Sequence, residues 1–178
     1  MLSQKQVALH SGTWLPQRRA LAAFSLADTA GRSFSNARLA GHPSLVFFGF
    51  TACPDVCPTT LATIAALGRN PPIADLQMLF VSVDPERDNP AALRAYLASF
   101  DPHFVGLVGD SAALQPLLQS LGAIAERHVA ADGSYTVDHS ATLYLLDKSG
   151  RMAAVFSPPL EAAGLRADLE TIARSARL

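Results

Sequence analysis

"LVFFGFTACPDVCPTTLATI", residues 45–64, contains a strand, a loop with both cysteines of the chain, and the start of a helix. The run from Ser44 to Phe50 is apolar without alternation, as expected of a strand covered on both faces. After the loop, Leu61, Ile64, Ala65 and Leu67 recur at helical spacing. Cys53 and Cys57 thus stand at a strand-to-helix junction, bracketed by Pro54 and Pro58. Proline suits an early helical position and restrains the residue before it, so the sequence predicts Cys57 at the helix N-cap and Cys53 on the loop above it. Free backbone N–H groups and the helix dipole favour a thiolate there. Thiolate both attacks disulfides and ligates metals, so position alone does not choose between these uses.

Outward from this junction, "LQMLFVSVD" (76–84) reads as a second buried strand. Asn89 and Pro90 read as N-cap and first residue of a helix over "AALRAYLASF". "HFVGLVG" gives another strand and "SAALQPLLQSLG" another helix, which Pro116 is expected to shorten or kink. "YTVDHSATLYLLDKSGRMAAVFS" reads as two strands joined at "DKSG", and residues 160–176 as a closing helix. Near the start, "FSLADTAGRSFS" reads as a β-hairpin, and residues 1–22 as irregular. The order implies an α/β domain with a central mixed sheet flanked by helices. Its ββα ending, with the cysteine pair at a strand-to-helix junction, points to a thioredoxin-like fold with an N-terminal β-hairpin extension.

Composition narrows the function classes. The 178 residues are 49% hydrophobic and 16% charged, enough for one folded domain with a sizeable core. A formal net charge of −1 gives no reason to expect nucleic acid as a partner. No apolar run approaches the roughly 18 residues of a membrane span. The opening "MLSQKQVALHSG" lacks a charged n-region followed by an apolar stretch, so no signal peptide is expected. Two cysteines do not make a disulfide scaffold.

The three-residue spacing between the cysteines exceeds the two of ordinary thioredoxin-like oxidoreductases. It still permits a disulfide, and it also lets both sulfurs face one soft cation. A structural zinc site would normally need four protein ligands. Two thiolates with an imidazole suit copper, the thiolates favouring Cu(I). On spacing alone, redox pair and metal site stand level. His10, His42, His103 and His128 lie in expected loops or edges and read as solvated. His139, in "VDHSA", stands at the entrance to a core strand, where thioredoxin-like folds bring the chain beside the cysteine loop and usually carry a cis-proline. It is the candidate third ligand.

Taken together, "FSLADTAGRSFS", "LVFFGFTACPDVCPTTLATI", "VSVDPERDNPAALRAYLASFD", "VGLVGD" and "VDHSATLYLLDKSGRMAAVFSPP" resemble the Sco/SenC family of copper chaperones for cytochrome c oxidase assembly. The resemblance runs from about residue 20 to the C-terminus. By position it implies Cys53, Cys57 and His139 as copper ligands, with Cu(I) and Cu(II) both carried. Cys53 and Cys57 would also form a redox-active pair, cycling between dithiol and disulfide. Asp55, inside the loop, would tune or transiently ligate Cu(II), although a carboxylate near a helix N-terminus is ordinary. Ala52 departs from the larger aromatic or histidine side chain common before the first cysteine.

The implied function is delivery of copper to the CuA centre of cytochrome c oxidase. Its partners would be oxidase subunit II, another periplasmic copper chaperone and a thiol reductant. The rival is a thiol–disulfide oxidoreductase that reduces the CuA cysteines; peroxidase chemistry lacks the Thr-x-x-Cys spacing. The resemblance also implies the periplasmic side of the bacterial inner membrane and an N-terminal anchor missing from this chain. Residues 1–22 are then a remnant after that anchor, and 23–178 the thioredoxin-like domain. Asp84, Glu86, Arg87 and Asp88 read as a charged turn and cap; Phe47, Phe48 and Phe50 read as core.

Overall fold

The computed structural model describes residues 7–175 and residue 178. Its centre is β4 (Ser44–Gly49), β5 (Gln77–Ser82) and β6 (Val105–Val108), three parallel strands in adjacent positions. All six residues of β4 are buried. Leu45 and Phe47 face one apolar cluster, Val46 and Phe48 the other, which is why the run does not alternate. Helices α2 (Val56–Ala65), α3 (Pro90–Ala98) and α5 (Ala162–Ser175) cover the first cluster with Leu61, Leu93 and Leu169. Helix α4 (Ser111–Leu121) and the short α1 (Asn36–Leu39) cover the second. Helix α4 continues through Pro116, neither shortened nor broken by it.

The hairpin of β2 (Ser25–Asp28) and β3 (Ser33–Ser35) is present, and β2 pairs with β6, so it extends the main sheet. On the other side β9 (Leu143–Leu146) pairs antiparallel with β4, and β10 (Arg151–Phe156) with β9. The result is a mixed sheet with helices on both faces, the expected thioredoxin-like arrangement.

Three local readings need correction. Residues 12–20 are not irregular: they form β1 (Gly12–Ala20), which pairs with β10 at the sheet edge. Pro16 and the Arg18–Arg19 pair concealed it, but an edge strand tolerates both, and the register shifts between Trp14 and Arg19. Residues 1–6 of that reading lie outside the described residues. Second, the segment 135–156 holds three strands rather than two. β8 (Tyr135–His139) leaves the main sheet and pairs with β7 (Ala125–Val129) as a two-stranded ribbon. "AERHV" is mostly exposed and charged, so only its partner strand reveals it. Third, α2 begins at Val56 with Asp55 as its N-cap, which puts Cys57 inside the first turn. Pro58 fits there because N–H groups of a first turn have no intrahelical acceptor to lose.

A Cys-Cys-His cluster at the end of the central strands

Cys53 and Cys57 sit at the C-terminal end of β4. Gly49, the last residue of that strand, is required by the approach of Cys57. A Cβ at Gly49 would stand 2.7 Å from Cys57 Sγ and 2.9 Å from the Phe80 ring. This requirement was not read from the sequence, though a glycine ending a buried strand signals such close approach. The loop turns back at once, with Cys53 N–H donating to the Phe50 carbonyl (3.2 Å). Cys57 N–H in turn points at Cys53 Sγ (3.4 Å), so a sulfur serves the helix N-terminus where Asp55 makes no side-chain cap.

The "DPERD" loop after β5 fastens both halves of the site. Asp88, buried, accepts from the backbone N–H and hydroxyl of Thr51 and from Ser82 Oγ (2.5–3.2 Å), fixing the entry to the cysteine loop. Asp84 accepts from Tyr135 Oη (2.8 Å) and pairs with Arg87. The Arg87 guanidinium lies over the rings of Phe50 (5.4 Å) and Tyr135 (4.1 Å), and the Arg127 guanidinium also lies over the Tyr135 ring (3.6 Å) while pairing with Glu86 (2.5 Å). The charged turn is therefore a turn and also a clamp that holds the ribbon beside the loop.

At the ribbon's end the segment is closed by Ser140 N–H to the Ile124 carbonyl (3.0 Å) and Ile124 N–H to Ser140 Oγ (2.8 Å). His139 is thereby directed at the sulfurs. Its Nε2 lies 3.3 Å from Cys57 Sγ and 3.9 Å from Cys53 Sγ. Nδ1 faces the Ser140 carbonyl at 3.1 Å, which can only accept; Nδ1 then carries the proton and leaves the Nε2 lone pair toward the sulfurs. Phe47 and Phe50 hold the ring edge-on at 6.0 and 5.6 Å between centroids. Burial holds the His139 imidazole below its ordinary value, so it is neutral at pH 7.

The cysteines differ. Cys57 has no exposed surface, and burial pushes its thiol well above the ordinary range. The expected helix-dipole stabilisation of a thiolate is outweighed there by desolvation. Cys53 is partly exposed and lines a groove of about 430 Å³ with Pro54, Arg87, Tyr135 and His139.

Geometry tests the fit to a metal. Legs of about 2.3 Å to sulfur and 2.0 Å to nitrogen, at trigonal angles, put sulfur and nitrogen about 3.7 Å apart. The observed 3.3 and 3.9 Å bracket that value, and all three donor atoms lie within 4.8 Å of one another. Among the described residues no other histidine, cysteine or carboxylate group makes such a cluster. Asp55 is outside it. His128 pairs with Asp138 (3.0 Å) and His103 with Asp101 (2.8 Å). His42 and His103 line a cleft at the other end of the central strands, and His10 lies by α5.

A thioredoxin-like scaffold with two thiols and one neutral imidazole converging at its βα junction defines a class of soft-metal or redox proteins. The SCO1/SenC family model matches residues 15–174, and the chain belongs to that family. A Stutzerimonas stutzeri protein named for copper binding is 36% identical over 97% of this chain and 83% of its own length. ScoI of Bradyrhizobium japonicum, solved with copper bound, is 40% identical with a TM-score of 0.74, covering 85% of this chain and 98% of that one. BsSco, described with a disulfide switch and as a member of the Sco family of cytochrome c oxidase assembly proteins, is 25% identical with a TM-score of 0.67 (88% and 95% covered).

Proposed function

We propose that this protein binds copper through Cys53, Cys57 and His139 and delivers it to the CuA centre of cytochrome c oxidase, on the periplasmic side of the bacterial inner membrane. The observation that carries this reading is the convergence of the two sulfurs and the His139 Nε2 within 4.8 Å. Copper-bound ScoI, on the same fold, supports the choice of metal, and the oxidase-assembly role given for BsSco supports the client. Two thiolates dominate a site for Cu(I), while the imidazole contributes more to Cu(II).

The residues divide the work. Cys57, buried, keeps its proton until a cation takes the sulfur, so loading releases protons and weakens as pH falls. Cys53 faces the groove and is the sulfur that a client's ligand can reach. His139 arrives neutral and oriented, with no deprotonation needed. The clamp of Asp84, Arg87 and Tyr135 sets its distance.

Anaerobic titration of the reduced protein, read by absorbance and electron paramagnetic resonance, tests the reading. One copper per chain and a sulfur-to-Cu(II) charge-transfer band are expected, with His139→Ala weakening Cu(II) more than Cu(I). Uptake that persists unchanged after complete oxidation of both thiols would place copper elsewhere.

The paired thiols also favour a second reading, thiol–disulfide exchange. Cys53 and Cys57 would give two electrons and two protons to a disulfide of the client, becoming a disulfide themselves until a thiol reductant restores them. Reduction of an oxidised CuA domain by copper-free protein, with no loss of rate in His139→Ala, would support this role.

A further inference from the structure

The strand that ends at His139 has a partner on one side only. β7 and β8 form a two-stranded sheet, and among the described residues no other strand joins it. Both ends of the ribbon show which backbone groups face inward. Ala130 N–H donates to the Ser134 carbonyl (2.8 Å) and Ser140 N–H to the Ile124 carbonyl (3.0 Å). Antiparallel strands exchange such bonds at every second residue. In this register Thr136 and Asp138 direct their backbone groups at His128 and Glu126. The N–H and C=O groups of Tyr135, Val137 and His139 therefore point away from β7.

That outer edge borders the groove beside Cys53. All five residues of β8 line the groove, and no residue of β7 does. The opposite wall is the cysteine loop, with Ala52, Cys53, Pro54 and Val56. Arg87 spans the two walls, its guanidinium over Phe50 on one and Tyr135 on the other. Val56, 40% exposed, is one of three large apolar side chains exposed among the described residues. An open strand edge is a template for another chain, and folded proteins generally blunt it with charge, proline or a covering element. Here the covering element stands off, leaving about 430 Å³ between edge and loop.

We propose that the outer edge of β8 docks an extended segment of the client protein, which adds to the ribbon as a third strand and brings a cysteine beside Cys53 Sγ. The inference rests on the copper-delivery reading for the client's identity and adds how the client is recognised. Backbone hydrogen bonds to Val137 and His139 hold the segment, and the apolar wall at Val56 receives its side chains. The occupant carries a thiol because copper delivery and thiol exchange both require a second sulfur to approach Cys53. An extended chain meets this need, since its alternate side chains point to one face and one of them can be aimed at the sulfurs.

Cys57→Ser protein, in which Cys53 is the sole thiol, provides the test. The probe is a synthetic peptide spanning the CuA cysteine loop of oxidase subunit II, with one cysteine activated as an aryl disulfide. The Cys53 thiolate displaces the aryl thiolate and forms a protein–peptide disulfide, so every molecule carries the segment. Amide exchange is compared with the same protein capped by mercaptoethanol through the same reaction. Val137 and His139 N–H should slow about fivefold, the equivalent of one net hydrogen bond each, while Thr136 and Asp138 stay unchanged. N-methylation of one alternate set of peptide amides should remove the protection, and N-methylation of the other set should leave it. Reduced wild-type protein saturated with the copper-free CuA domain should show the same alternation, which frees the test from the substitution. Equal exchange in peptide adduct and capped protein overturns the proposal. So does protection without alternation, which would mean cover by side chains alone. Copper titration of the wild type is read separately: normal uptake without alternating protection overturns this inference alone. Alternating protection in a protein that takes up no copper overturns the copper reading and supports docking of a thiol client.

Discussion

Cys57 and His139 stand 3.3 Å apart, yet the regions that carry them are built on different principles. Cys57 belongs to β4–α2, where the strand is buried throughout and Leu61 and Ile64 anchor the helix in the larger apolar cluster. His139 ends a two-stranded ribbon outside the main sheet, where Val137 is the one buried residue of β8 and β7 has none. A two-stranded ribbon is marginal by itself, so this one depends on side-chain clamps: Tyr135 to Asp84, Arg127 to Glu86, His128 to Asp138. One arm is fixed by core packing and the other by polar contacts at a surface. A site divided this way has a rigid half that keeps its sulfurs and an adjustable half that can open without unfolding the domain.

The largest expected effect concerns the rigid arm as ligand. Cys57→Ser or Cys53→Ser should abolish tight copper binding, a loss above the roughly 100-fold that an outer-shell change can cause. Competition titration checks it, and copper retention in either variant would remove the division of labour altogether.

Next is the rigid arm as structure. Leu61→Ala should cost about 2–5 kcal/mol of global stability, since the side chain is fully buried. Denaturant melts should show the loss and hydrogen exchange should show it throughout the main sheet. A change confined to α2 would mean that the arm is not part of the cooperative core.

Acid provides a third probe, on the core that backs α2. Burial raises the Asp168 carboxyl, but donors from His10, Ser11 and Gly12 outweigh it and hold it below the usual carboxylate value. The unfolded chain, at about 3.9, therefore takes up the proton first as pH falls. The stabilisation this gives is complete above that value and is lost as pH drops through the folded one. Melts from pH 6 to 3 should show a steeper loss in the wild type than in Asp168→Asn; equal slopes would overturn the assignment.

The smallest effect is expected on the adjustable arm. Tyr135→Phe removes the hydroxyl that reaches Asp84, at about 1 kcal/mol. Faster amide exchange should appear across residues 125–139 and leave β4 and β5 unchanged. Acceleration in the central strands would show that ribbon and core open together.

The sequence by itself determined the rigid arm. An unbroken apolar run marks β4, helical spacing marks α2, and Asn89–Pro90 marks the start of α3, because burial and capping are local requirements written in residue types. The cysteine pair was visible for the same reason, and "VDHSA" marked the third member of the cluster. What only the tertiary structure decided is less local. β1 is a largely exposed strand whose pairing depends on β10 far along the chain, and β7 is an exposed, charged strand with no burial of its own to mark it beside β8. The clamp on Tyr135 joins residues about fifty positions apart, so "DPERD" alone shows a turn and not what it grips. The protonation of Cys57 followed too: a helix N-terminus favours thiolate by position, but the depth of burial, set by Gly49 and the core beneath, reverses the balance. Residue type can specify which surfaces are buried, whereas pairing, desolvation and the distance between two donors arise only when remote segments meet.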